Sequence, residues 1–145
     1  MKITIVPLEP GQEEEMILKC NKLDEKLLEL INLLHAGEQK LNAYKDGNIF
    51  LLKAENIYYF ESVDTRVYAY TKSEVFEIRK KLYELEIELP SHDFFRASKS
   101  TILNLNVIKS LSPAFGGRFE ASLKNQEKVI VSRQYVSTLK DKLGL

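Results

Sequence analysis

From Gln39 onward the chain is cut into short alternating runs separated by turn residues, and that rhythm excludes most architectures. "KLNAYKDGNIFLL", "NIYYFESV", "RVYAYTK" and "EVFEIRK" alternate apolar and polar side chains, the period of a half-buried strand. The joints are tight: Asp46-Gly47 or Gly47-Asn48 supplies the positive φ a short hairpin needs, and the polar "VDTR" joins the next pair. After Phe94 come "VIKSLSP", the turn "AFGGR", "RFEASLKN" and "EKVIVSR", again strands linked as hairpins. No strand alternates with a long helix, so a doubly wound nucleotide-binding sheet is excluded as the working model. A mainly β, nearly all-β, antiparallel fold with short helices is expected instead.

Three helical patterns interrupt the strands. Asn21 can cap "KLDEKLLELINLLHAG", in which Leu23, Leu27, Leu30, Ile31 and Leu34 recur at helical spacing before a stop at Gly37. "KKLYELEIELP" reads as a second helix, ended by Pro90, with Leu82, Leu85 and Leu89 on one side. "SRQYVSTLKDKLG" reads as a third, with Ser132 as its cap, Val136, Leu139 and Leu143 inward, and Gly144 at its end. Upstream of all three, "MKITIVPL" and "EEMILKC" flank a Pro10-Gly11 turn and read as two short strands. Residues 1–38 are thus expected to form a small α/β extension and residues 39–145 the main domain. The apolar face of the first helix needs cover, either from its own sheet or from the same helix in a homodimer.

Charge separates along the chain although its total is zero. Residues 1–45 carry 6 Lys/Arg and 8 Asp/Glu, residues 46–93 carry 6 and 10, and residues 94–145 carry 9 and 3. A basic last third on a neutral protein can neutralise phosphates and release their counterions. No apolar run approaches the roughly 20 residues needed to cross a bilayer, and the acidic "EPGQEEE" is the reverse of a secretion signal. No membrane insertion and a cytoplasmic location are therefore expected.

The chemistry of an enzyme is not legible. One cysteine and two histidines cannot build a disulfide or a Cys/His zinc cage within one chain, so neither metal nor other cofactor is expected. Cys20 ends an alternating run and reads as a small buried thiol. Gly116-Gly117 lies between two strands and opens no helix, which makes it a hairpin turn and not a phosphate cradle. No convergent acid, base and nucleophile pattern stands out.

What does stand out is a set of polar tips between apolar anchors. "VDTR" (Val63–Arg66), "RASKST" (Arg96–Thr101) and "SRQY" (Ser132–Tyr135) each join a cation to hydroxyl or amide groups. Lys, Arg, Ser and Thr bond phosphates, while Arg, Lys, Gln and Asn can also read base edges in the major groove. Nucleic acid is the partner this pattern suggests, double-stranded DNA where the major groove is what such side chains read; a β-rich RNA-binding or protein-interaction module is the alternative.

"FFRASKSTILNLNVIKSLSP", "GGRFEASLKN" and "KVIVSRQYVSTLKDKL", preceded by "IYYFESVDTRVYAYT", strongly resemble the LytTR family of bacterial DNA-binding domains over roughly residues 39–144. The resemblance implies an elongated, mainly antiparallel multi-sheet fold whose loops, not a recognition helix, enter successive major grooves at paired direct repeats in promoters. It implies DNA contact by Ser98, Lys99 and Ser100 of "SKS", by Arg133, Gln134 and Tyr135 of "SRQY", and by the tip Asp64, Thr65, Arg66. The sequence departs from the family where Ser98 replaces a common His and Gln134 a common Arg. Arg96 is expected to sit in a structural ion pair, and Asn104 to bond backbone. With 38 residues ahead of the domain, too few for a phosphorylated receiver, the chain resembles a stand-alone transcription regulator.

Overall fold

The computed structural model describes residues 2–35 and 40–145. The first β-hairpin, β1 (Lys40–Lys45) and β2 (Asn48–Lys53), turns through Asp46 and Gly47 at φ 50° and 79°. It joins β3 (Tyr59–Val63), β4 (Arg66–Tyr70), β5 (Val75–Ile78), β6 (Phe94–Ser98) and β7 (Thr101–Asn104) in one seven-stranded antiparallel sheet, in the order β2-β1-β5-β4-β3-β7-β6. A second sheet of three strands has the order β10-β9-β8, from β8 (Ile108–Ala114), β9 (Arg118–Leu123) and β10 (Lys128–Val131).

Each sheet has its own core. On one face of the large sheet, Ala69 lies opposite both Phe60 and Phe76, so a small residue makes room for two large ones at native packing density. The helix α2 (Leu82–Glu88) covers this face with Leu82 and Leu85, and Leu89 follows at its end. The small sheet buries Ala121, Leu123, Val129 and Val131 with Val136 and Leu139 of the last helix, α3 (Val136–Leu143).

The strands β6 and β7 belong to both cores. Phe94 and Ile102 face the first; Phe95, Ala97 and Leu103 face the second. A strand buried on both faces cannot alternate apolar with polar, which is why "FFRAS" and "TILN" lack the rhythm of their neighbours. The chain leaves the large sheet for the small one at Asn104, only 1 % exposed. Its amide donates to the Ile57 carbonyl at 2.9 Å and its Oδ1 accepts from the Asn106 backbone at 2.9 Å. The expected backbone-bonding role of Asn104 is thus observed.

The N-terminal expectations need correction. No strand forms over residues 2–24; Ile3, Ile5, Val6, Met16 and Ile17 are exposed, because neither run has another strand to pair with. The extension is therefore not α/β in its described residues. Cys20 is exposed, not buried, for the same reason. The first helix, α1 (Glu25–His35), starts later than its apolar spacing suggested, and Asp24, not Asn21, caps it by accepting from Leu27 N at 2.9 Å. The proposed stop at Gly37 and the boundary between residues 38 and 39 lie outside the described residues, or at their edge. Ser132 makes no side-chain cap: a 3-10 turn over Arg133–Tyr135 comes between it and α3. The later stop at Gly144 holds, at φ 71°.

Candidate nucleic-acid interface

The β6–β7 hairpin turns at Lys99 and Ser100, after a register shift between Arg96 and Ser98. Arg96 is the device that shapes this tip. Its Nε donates to the Ser98 carbonyl and its Nη2 to the Lys99 carbonyl, each at 2.9 Å, while Nη1 reaches Glu86 Oε2 on α2 at 3.2 Å. A planar guanidinium can make three directed bonds at once; with its donors committed in this way, it holds the turn from the α2 side. The Ser98 hydroxyl adds a further brace by accepting from Ser100 N at 3.2 Å. Lys99 itself is exposed and belongs to none of the ion pairs among the described residues.

Two backbone hydrogen bonds tie the other tips to this one. Ser62 N, near the end of β3, donates to the Ser100 carbonyl at 2.8 Å, and Ser132 N, after β10, donates to the Ala97 carbonyl at 2.8 Å. The β3–β4 turn, at Asp64 and Thr65, has φ 47° and 70°, the two left-handed residues of a type I′ hairpin. Asparagine or glycine would take those angles at less cost; here Asp and Thr do.

The structure brings two of the three predicted elements into one open cleft. Ser98, Lys99 and Ser100 line it from one hairpin, and Ser132, Arg133 and Gln134 from the turn before α3. Tyr135 follows on the same turn, but its ring packs against the second core. Thr65 and Arg66 line a separate cleft, with Arg79, Lys80 and Lys81 as neighbours and Glu77 and Glu84 opposite in sign. Asp64 is exposed at the tip between.

Several residues here escaped the reading of the sequence. "RKK" at 79–81 was hidden inside a stretch of net negative charge, and only folding sets it beside Arg66. Phe115, Gly116 and Arg118 of the β8–β9 turn line the Lys99 cleft, although "AFGGR" signals only a turn. Between the two sheets Tyr59 stacks on Tyr70 with ring centroids 4.4 Å apart. Burial first, and then a hydrogen bond to Glu127, push the Tyr59 phenol well above its ordinary range, so Tyr59 stays neutral. Among the described residues no group of three or more His, Cys, Asp or Glu is placed to hold a metal ion, and no helix is long and apolar enough to cross a membrane.

A family model described as the LytTr DNA-binding domain matches residues 47–144. The chain belongs to the LytTR family of DNA-binding domains. The LytTR fold is seen directly in a solved structure, the LytTr DNA-binding domain of a protein described as a methyl-accepting/DNA response regulator from Bacillus cereus. It superposes with a TM-score of 0.71 at 28% identity, covering 75% of this chain and 100% of that one. The sensory transduction protein LytT of Bacillus subtilis is 27% identical over 139 residues, which are 96% of this chain but 58% of LytT. An HTH-type transcriptional regulator of Staphylococcus aureus is 27% identical over 147 residues, covering 100% of this chain and 99% of that protein. This LytTR chain is therefore a DNA-binding domain of a transcription-regulator family.

Proposed function

We propose that this LytTR domain reads duplex DNA in a sequence-specific way through its loops, placing them in successive major grooves of repeated promoter sites to regulate transcription. The single observation that carries this reading is the shared cleft: a cation and hydroxyls from the Lys99 hairpin face a cation and an amide from the Arg133 turn, joined by the Ser132 to Ala97 backbone bond. Lys99 and Arg133 suit phosphates, and Gln134 suits the paired donor and acceptor of adenine. Arg66, with Arg79 to Lys81 beside it, supplies the third contact, with Asp64 and Thr65 shaping its loop. A helix is a poor candidate for the reading element: α3 commits Val136 and Leu139 to the core, and no two described α-helices follow one another without strands between them.

The same proposal takes residues 1–38 as a separate extension and assigns α1 to a homodimer contact. Two linked copies gain effective concentration on a pair of repeats. The protein would act in the cytoplasm, where its DNA is.

Selection of bound sequences from a random duplex pool, followed by gel shift, tests the proposal. Lys99→Ala is expected to weaken binding to every duplex and lower the salt slope by about one. Gln134→Ala should relax preference at one base position, at about 1–3 kcal/mol of discrimination. Equal affinity of the wild type for all duplexes would remove sequence-specific reading.

A further inference from the structure

The β8–β9 turn lies outside the three loops that the sequence singled out, yet it lines the Lys99 cleft. At its tip Phe115 is 97 % exposed. The chain has seven phenylalanines; Phe60, Phe76, Phe94 and Phe95 are buried, Phe119 packs on the second core, and Phe50 lies edge-on to Phe76 at 5.2 Å. Phe115 alone has no cover. Its neighbour Gly116 sits at φ +77°, and a Cβ added there would meet open space. Behind it, Gly117 supports a cation: a Cβ added there would lie 3.0 Å from Arg133 Cδ and 3.2 Å from Cγ. The turn therefore holds an apolar ring forward and lets the stem of Arg133 lie against its glycine backbone.

We infer that Phe115 is a DNA-contacting residue and the β8–β9 turn a fourth loop of the interface, in which the ring packs on thymine methyl groups in the major groove. The thymine methyl is the apolar feature that groove displays, and an aromatic ring is a known match for it. The neighbourhood agrees. Gln134 lines the same cleft and suits adenine, so the two side chains together suit A·T pairs, while Arg118 and Arg133 suit flanking phosphates. The alternative occupant of an exposed ring, a second protein, is disfavoured by the setting: cations and hydroxyls surround Phe115 in the cleft, with no second apolar side chain in its lining.

The inference rests on the reading that this cleft faces duplex DNA, and the test separates the two. Full-length wild type, Phe115→Ala, Phe115→Leu and Lys99→Ala are titrated against a single selected site, its uracil-for-thymine version, and a paired site, at several salt concentrations. Far-UV circular dichroism checks the fold of each variant. Phe115→Ala is expected to bind about tenfold to a hundredfold more weakly with an unchanged salt slope, since no cation is lost. Phe115→Leu should retain most of the affinity. Uracil should weaken the wild type and leave Phe115→Ala unaffected. If the wild type binds no duplex, the function proposed above fails and this inference with it. If Lys99→Ala weakens binding while Phe115→Ala matches the wild type, only the role of Phe115 is lost. A loss in Phe115→Ala that ignores the thymine methyls, or one confined to cooperativity on the paired site, also overturns it, the latter by assigning the ring to contact between protomers.

Discussion

In the β6–β7 hairpin, Phe94 and Ile102 enter one core while Phe95, Ala97 and Leu103 enter the other; over residues 2–24, Ile3, Ile5, Met16 and Ile17 meet water. Both regions are apolar runs broken by polar residues, yet only the N-terminal one reads as strand by its local alternation. The difference lies in what surrounds them. β7 pairs with β3 on one side and with β6 on the other, so its N–H and C=O groups are satisfied and both faces are covered. The N-terminal runs could pair only with each other, and an isolated two-stranded hairpin is marginal in water. Periodicity describes which side chains would share a face; it becomes a strand only where a neighbour completes the ladder.

That contrast can be broken most sharply at Leu103, which is fully buried. Leu103→Ala is expected to lower unfolding stability by about 2–5 kcal/mol in urea titration. A loss below about 1 kcal/mol would mean that the doubly covered hairpin is not the keystone described. A smaller effect on stability is expected for Arg96→Lys, which keeps the charge and loses the fork to Ser98, Lys99 and Glu86. Its unfolding midpoint should shift by the equivalent of about 1 kcal/mol, while DNA affinity falls more than stability because the tip loses its shape. Equal losses in both would make Arg96 a stabilising residue only. The smallest effect belongs to the other region. Cys20→Ser should change stability by less than about 0.5 kcal/mol, and the native thiol should react with Ellman's reagent as fast as in denaturant. A protected thiol would show that the N-terminal segment acquires cover in solution, as a second copy could provide.

The candidate site was legible where chemistry and turn signals coincide in the sequence. "SKS" and "SRQ" each show a cation, polar groups and apolar anchors within a few residues, and the fold sets them in one cleft. Arg96 was separable from them because it precedes the tip; two of its donors serve the backbone of the turn and a third the Glu86 carboxylate. Arg79 to Lys81 and Phe115 were not legible, since their meaning depends on residues more than ten positions away. Tyr135 shows the converse: a residue inside a polar motif whose ring the second core takes up.

By itself the sequence determined most of the strands and turns after Gln39, the mainly β class and the family, because these depend on local periodicity, on glycine and Asp-Gly backbone freedom, and on motifs in a set order. Tertiary structure alone decided that β6 and β7 serve two cores, that residues 2–24 form no strand, and which loops share a cleft. Those outcomes depend on partners distant in sequence: hydrogen-bond ladders, packed faces and the bonds from Ser62 and Ser132 to the central hairpin exist only once the sheets have come together.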